Sequence, residues 1–411
     1  MQREDLKFVV VGHVDHGKST LIGRLLYDTE SLPPDKMDEV RRASEADDGT
    51  TEFAFVMDHL EEERKNRITI DTAQIWFRTA AREYNIIDAP GHKQFLKNMI
   101  TGSSQAEAAL LLVDAEEGLR EQTHRHAYML SLLGVKQNMV IINKMDLVDF
   151  SENRFNELKE QITARLNEFG ADPICVIPLS AQLGDNVTHK SEHMPWYDGK
   201  TLLSALDELK AIEKPEYAPL RLPVQDIYEQ EGQSILVGKI ASGTIRRGQE
   251  VIFHPCGKSA KVKEVKKFLA DTTEATAGDS VGLVLEEGIA MKAMRRGEIA
   301  CDVEPSPKIG TRVVATVFWM SGEPLTAGQT LELKCATQQI PCKVKKIANR
   351  MNSSSLEILD EESSELEDTE VAKLTLTTDD YLCTDPFDQI EETGRFVLMR
   401  DGDTVAGGVL H

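Results

Sequence analysis

The chain is short of cysteine. Six occur among 411 residues, Cys175, Cys256, Cys301, Cys335, Cys342 and Cys383, and no two form a CxxC pair. A disulfide framework and a thiolate zinc site are therefore excluded as organising principles, and free thiols in a reducing compartment are expected. Long apolar runs are missing as well. Stretches such as 108–113 fall far short of the roughly twenty residues that span a bilayer, so no membrane partner is expected. The first strand-like run begins at about residue 6, which leaves no space for a secretory leader. The expected location is cytoplasmic. Positive charge is also scarce. Lys and Arg number 47 against 69 Asp and Glu, a formal net charge of −22. This excludes a surface that coats nucleic acid everywhere, although one local basic face stays compatible with it.

What is present is an ordinary globular composition, 41% hydrophobic and 28% charged, in a chain too long for one core. Two or three domains are expected. Residues 1–212 alternate strand-like and helix-like runs. Strands are expected at Leu6–Val11, Thr69–Phe77, Glu83–Asp88, Ala108–Asp114, Asn138–Ile142 and Ile174–Pro178. Helices are expected at Lys18–Tyr27, Lys93–Thr101, Glu121–Leu133, Glu152–Phe169 and Leu202–Leu209. Such alternation predicts an α/β domain with a mostly parallel sheet. Residues 28–66 read as an acidic, helix-prone insertion.

Lys214-Pro215-Glu216-Tyr217-Ala218-Pro219 then reads as an extended linker. Beyond it, short strand-like runs such as Val237–Ile240 and Val281–Val284 alternate with Gly turns, predicting an all-β barrel over 219–304. Glu304-Pro305-Ser306-Pro307 marks a second boundary. Residues 308–411 read as a second all-β barrel, with Asp360–Glu370 an exposed acidic loop. No sequence repeat relates the two β regions.

The most specific string is Gly12-His13-Val14-Asp15-His16-Gly17-Lys18-Ser19-Thr20. It is a GxxxxGK[ST] loop between an expected strand and an expected helix, the context that a phosphate-binding loop requires. Backbone N–H groups of the loop can cradle a polyphosphate, and the following helix turns its positive end to the same anion. Lys18 supplies charge to the β- and γ-phosphates, and the Ser19 hydroxyl is a candidate Mg²⁺ ligand.

Three further stretches fall at expected strand ends, where ligands of such sheets bind. Asp88-Ala89-Pro90-Gly91 places a carboxylate for the Mg²⁺ shell and a Gly91 N–H for the γ-phosphate. His92, next in line, is a candidate to orient the attacking water. Asn143-Lys144-Met145-Asp146 is the candidate base-reading element. The Asp146 carboxylate suits the guanine N1–H and 2-amino donors, a pair that adenine lacks. Asn143 can brace the loop, the Lys144 stem can lie over the ring, and Ser180-Ala181 can complete the pocket through its backbone.

Together these strings, with Ile68-Thr69-Ile70-Asp71 and Gly184-Asp185-Asn186-Val187, resemble the translation-factor-type GTPases of the elongation factor Tu and 1-alpha kind, a G domain followed by two β-barrels. The resemblance implies GTP and GDP as ligands and makes Thr69 a second hydroxyl on Mg²⁺. Arg67 stands where these proteins carry glycine. Within the family, Val317-Phe318-Trp319-Met320, Glu323-Pro324-Leu325 and Lys334-Cys335-Ala336-Thr337 resemble the GTPase subunit of the two-subunit ATP sulfurylase (sulfate adenylyltransferase subunit 1). Elongation factors carry a His-Thr pair where this chain has Ala336-Thr337. That branch is the expectation. It implies GTP hydrolysis coupled to adenylyl sulfate synthesis from ATP and sulfate, in sulfate assimilation, on a smaller PP-loop catalytic subunit in a heterodimer. The alternative branch implies carriage of aminoacyl-tRNA to the ribosome.

Overall fold

The computed structural model describes residues 5–13, 15–32, 34, 37–38, 53, 74–88, 106–210, 218–230, 233–267, 270–286 and 294–411. The chain divides into two compact units, 1–211 with 353–355, and 212–352 with 356–411.

The first unit is built on one six-stranded sheet. Its strands are β1 (Asp5–Gly12), β2 (Gln74–Arg78), β3 (Glu83–Asp88), β4 (Ala108–Asp114), β5 (Gln137–Asn143) and β6 (Pro173–Pro178), in the order β2-β3-β1-β4-β5-β6. Every neighbouring pair is parallel except β2 with β3. The run Ala108-Ala109-Leu110-Leu111-Leu112-Val113 is apolar on both faces because β4 is buried along its whole length. Helices α1 (Lys18–Asp28), α2 (Glu121–Leu132), α3 (Glu152–Glu168) and α4 (Leu202–Asp207) accompany the sheet. In α3, Phe155, Leu158, Ile162 and Leu166 form the buried stripe, and Ser151 caps the first turn by accepting from the Arg154 N–H at 3.3 Å.

Strand order reverses around β1: the chain leaves β1 to build β2 and β3 on one side, then returns to build β4 on the other. Such a reversal opens a crevice at the carboxyl ends of the strands, and the phosphate-loop string leaves β1 there. The expected strand Thr69–Phe77 is described from Gln74 and runs to Arg78. The expected helix Lys93–Thr101, most of the 28–66 insertion, Arg67 and the linker residues 211–217 lie outside the described residues.

The second unit holds two closed antiparallel barrels. The first comprises β7 (Arg221–Gln230), β8 (Gln233–Lys239), β9 (Thr244–Arg246), β10 (Glu250–His254), β11 (Lys258–Lys267), β12 (Ala270–Thr272), β13 (Glu274–Thr276), β14 (Ser280–Leu285) and β15 (Ile299–Cys301). Its ring runs β7-β8-β14-β11-β10-β15 and closes on β7. The second comprises β16 (Lys308–Trp319), β17 (Leu325–Thr326), β18 (Thr330–Cys335), β19 (Gln338–Asn352), β20 (Ile358–Ser363), β21 (Glu365–Leu366), β22 (Glu370–Thr384), β23 (Arg395–Arg400) and β24 (Asp403–Leu410), with a short helix α5 (Glu391–Gly394). Its ring runs β24-β16-β22-β19-β18-β23 and closes on β24.

The two rings share one neighbour order, with the last strand β24 standing where the first barrel has its first strand β7. The side pairs correspond too: β9 with β13 in one barrel, β17 with β21 in the other. This permuted repeat is invisible in the sequence because the equivalent side chains differ. The barrels are joined by a buried ion pair. Arg221 donates from Nε and Nη2 to the two carboxylate oxygens of Asp385, each at 2.9 Å, and Thr393 Oγ1 donates to the same carboxylate at 2.6 Å.

One expectation fails here. Asp360–Glu370 is not simply an exposed loop: it supplies the end of β20, all of β21 and the first residue of β22. Leu366 is fully buried, and Glu370 accepts from Arg350 at 2.7 Å. Pairing with β19 and β17 overrides the local excess of charge. No helix among the described residues is long and apolar enough to cross a membrane.

Candidate functional site

The carboxyl ends of β1, β4 and β5 converge on one set of polar groups. Gly12 ends β1 against β4, and a Cβ there would come within 2.9 Å of the Leu112 carbonyl oxygen. His13 and Asp15 follow. Val14 lies outside the described residues. Gly17 has φ +86°, a left-handed conformation, and a Cβ on it would meet Asn143 Nδ2 at 2.4 Å. Lys18 opens α1 and folds its ammonium back over the loop, donating to the carbonyls of Gly12 and His13 at 2.8 Å each. The N-cap of α1 is Gly17, which has no side chain to cap the first turn, so the amino end presents backbone N–H groups and positive dipole to an anion. Ser19 is exposed in the first turn and Thr20 is half-buried.

Both loop histidines find ring partners outside the loop. His13 Nδ1 meets Gln122 Oε1 of α2 at 2.5 Å. His16 is fully buried, with Nδ1 at 3.3 Å from the Leu112 carbonyl and Nε2 at 3.7 Å from Glu117. Burial lowers the His16 pKa below its ordinary value, against the upward pull of the Leu112 carbonyl and Asp114.

The string Asn143-Lys144-Met145-Asp146 leaves the end of β5. Asn143 is a buried brace: its Nδ2 donates to the His16 carbonyl at 2.9 Å, and its Oδ1 accepts from the Ala181 N–H at 3.0 Å. One side chain thus ties the phosphate loop to the loop after β6. In that loop Ser180 Oγ accepts from the Leu183 N–H at 3.2 Å. Lys144 has φ +61° and pairs through Nζ with Asp114 Oδ2 at 2.8 Å. Asp146 carries a buried oxygen, Oδ1, that has no hydrogen-bond partner among the described residues. A buried carboxylate oxygen left open is costly unless a ligand satisfies it, and two adjacent N–H donors of a guanine edge would do so.

Asp88 ends β3, with its backbone beside Val10 of β1, which places the residue at the same sheet end. Its side chain is outside the description, as are Thr69, Gly91 and His92. Sequence reasoning passed over Asp114, Glu117 and Gln122. Their signal was available for Asp114 alone: a carboxylate ending an otherwise apolar strand, level with the phosphate loop.

The family described as Elongation factor Tu GTP binding domain matches residues 3–211, Elongation factor Tu domain 2 matches 234–301, and GTP-eEF1A C-terminal domain-like matches 312–411. Relatives named Elongation factor 1-alpha are similar over nearly all of this chain. That of Methanothermobacter thermautotrophicus is 38% identical across 99% of this chain and 97% of its own. Those of Methanopyrus kandleri and Thermoplasma acidophilum are each 38% identical with the same coverage. Among solved structures, Sup35 complexed with GMPPNP aligns at 25% identity over 99% of this chain and 94% of that one, with a TM-score of 0.46.

These findings overturn the expected sulfurylase branch. The relatives at 36–38% identity carry the name Elongation factor 1-alpha. The coupling to adenylyl sulfate synthesis and the smaller PP-loop catalytic subunit as partner therefore fall. The strings around Trp319 and Lys334 misled because they lie on β16 and β18 of a barrel core, where Trp319 and Cys335 are fully buried. Packing constrains such positions in any protein with this barrel.

Proposed function

The chain belongs to the elongation factor Tu and elongation factor 1-alpha family of GTP-binding proteins, and from that premise we propose that it is an elongation-factor-like GTPase, carrying aminoacyl-tRNA to the ribosome in the cytoplasm. The observation that supports this reading is the similarity to Elongation factor 1-alpha through all three domains at 38% identity, barrels included. A nucleotide-binding domain alone would be equally at home in many other GTPases.

In this reading the loop from Gly12 to Thr20 holds the phosphates through backbone N–H groups, with Lys18 shifting its ammonium from the loop carbonyls toward the β- and γ-oxygens. Asp146 reads guanine, Asn143 holds the two loops together, and Ser180 and Ala181 line the base. Ser19, Thr69 and Asp88 are the residues that would hold Mg²⁺, and the exposed Ser19 hydroxyl at the start of α1 suits that role. The ion when bound neutralises charge between the phosphates. Gly91 would sense the γ-phosphate and His92 would orient water. Loss of the γ-phosphate then releases the segment around Thr69, and with it the cargo.

The test is retention of aminoacyl-tRNA by the purified chain loaded with GTP, with GDP, or with neither. Retention of aminoacylated but not deacylated tRNA, in the GTP state alone, is expected. A chain that binds GTP tightly yet retains tRNA equally in all states would overturn the proposal.

A further inference from the structure

Asp114 closes β4 beside the base-reading turn and has no part in the reading given so far. Its carboxylate is buried, and both oxygens are engaged. Oδ1 accepts from the backbone N–H groups of Glu116 at 2.8 Å and Glu117 at 3.1 Å, which fixes the turn after β4. Oδ2 takes the Lys144 ammonium at 2.8 Å. The same turn is tied to β5, since the Ala115 N–H donates to the Asn143 carbonyl at 2.8 Å. It also carries Glu117 to within 3.7 Å of His16 beneath the phosphate loop. Burial alone would raise the Asp114 pKa, but Lys144 and the two N–H donors outweigh it and hold the carboxyl below its ordinary range.

Lys144 is the residue whose stem is assigned to the purine face, and its ammonium is anchored here at the end of a four-carbon chain. A lysine left free would have to be ordered by the ligand, at a cost to affinity. We propose that Asp114 is a positioning residue for guanine nucleotide: it holds Lys144 in place before the base arrives, while Asp146 alone reads the base edge. This rests on the guanine-nucleotide reading above. Both Asp114 oxygens are already taken by Lys144 and the turn, so it acts on affinity and not on the choice of base.

The experiment is a double-mutant cycle on the full chain, Asp114→Asn with Lys144→Met, reading displacement of a fluorescent GDP by GDP and by inosine diphosphate, with Tm of each variant. The Asn oxygen still accepts from the turn, so only the Lys144 contact is lost. Asp114→Asn should weaken both nucleotides by about tenfold, the scale of a charge-assisted hydrogen bond, and leave the GDP to inosine diphosphate ratio unchanged. In the Lys144→Met background it should do nothing further. Asp114→Ser, which also keeps an acceptor for the turn, runs in the same cycle in case the amide does not fold. Equal losses in both backgrounds would show a structural carboxylate, a collapsed ratio would show that Asp114 bears on the choice of base, and either would overturn the proposal. A wild-type chain that fails to bind GDP would overturn the nucleotide reading itself, and this proposal with it.

Discussion

Two buried charge pairs, one in each unit, are built to opposite ends. In the barrel unit Arg221 and Asp385 are 2% and 6% exposed, and every interaction is supplied by the chain: Asp385 takes both Arg221 and Thr393, while Arg221 also donates to the Leu220 and Pro305 carbonyls. In the nucleotide unit Asp114 is as deeply buried, but its partner Lys144 is 30% exposed, and the neighbouring Asp146 keeps a buried oxygen with no partner among the described residues. A network whose polar groups are all satisfied internally holds structure together. One with an open acceptor beside a half-exposed cation is shaped for a ligand. The two can be told apart by what each loses when broken.

Breaking the barrel pair should have the largest effect. Asp385→Ala strands a buried guanidinium and should destabilise the barrel unit by about 3–5 kcal/mol, read as a lower denaturant midpoint, with GDP affinity unchanged. Replacing both partners together, Arg221→Met with Asp385→Leu, should recover most of that loss, because an apolar pair of similar volume has no unmet charge. A double variant as unstable as the single one would mean that the pair is held for more than its charges.

Breaking the open site should change specificity and leave stability alone. Asp146→Asn should reduce GDP affinity on the order of 10²-fold and raise that for xanthosine diphosphate, whose 2-oxo group suits an amide donor. Its Tm should stay within about 1 °C of wild type, given that the Oδ1 atom has no partner in the described chain to lose. Unchanged base preference would remove Asp146 from the reading role.

The smallest effect is in the response to pH. His16 has a pKa below the ordinary 6.5 because it is buried, with Asp114 and Glu117 pulling it up and His13 pulling it down. The unfolded chain therefore binds a proton at His16 before the folded chain does. Stability from this residue is fully present above about pH 6.5 and falls as pH drops toward the folded value, by at most ~1.4 kcal/mol per pH unit. His16→Gln should flatten that part of the stability profile between about pH 7 and 5 without altering the barrels' response. An unchanged slope would show that His16 binds protons alike in the folded and the unfolded chain.

Legibility in the sequence followed locality. The strand–loop–helix around Gly12 to Thr20 was readable because each needed residue lies within one turn of the next, and β1, β3 and β4 were placed within one residue of their observed ends. The place of Asn143 was readable because it ends an apolar strand. The brace from Asn143 to His16 was not, since it joins residues 127 apart. In the barrels, a long strand such as β19, Gln338–Asn352, was not legible as one run. Its side chains alternate between core and solvent over most of its length, so no continuous apolar run marks it.

The sequence by itself determined the class of fold and the strand–loop–helix around Gly12 to Thr20, because these depend on residue types at short fixed spacings. Only the tertiary structure decided which partners those residues would have. It set Asp114 under Lys144, Arg221 against Asp385 across the barrel junction, and β24 in the place that β7 holds in the first ring. Closing a barrel is a long-range act: a strand's neighbour is chosen by where the chain returns to meet its open edge, and no local pattern of apolar and polar residues records that choice.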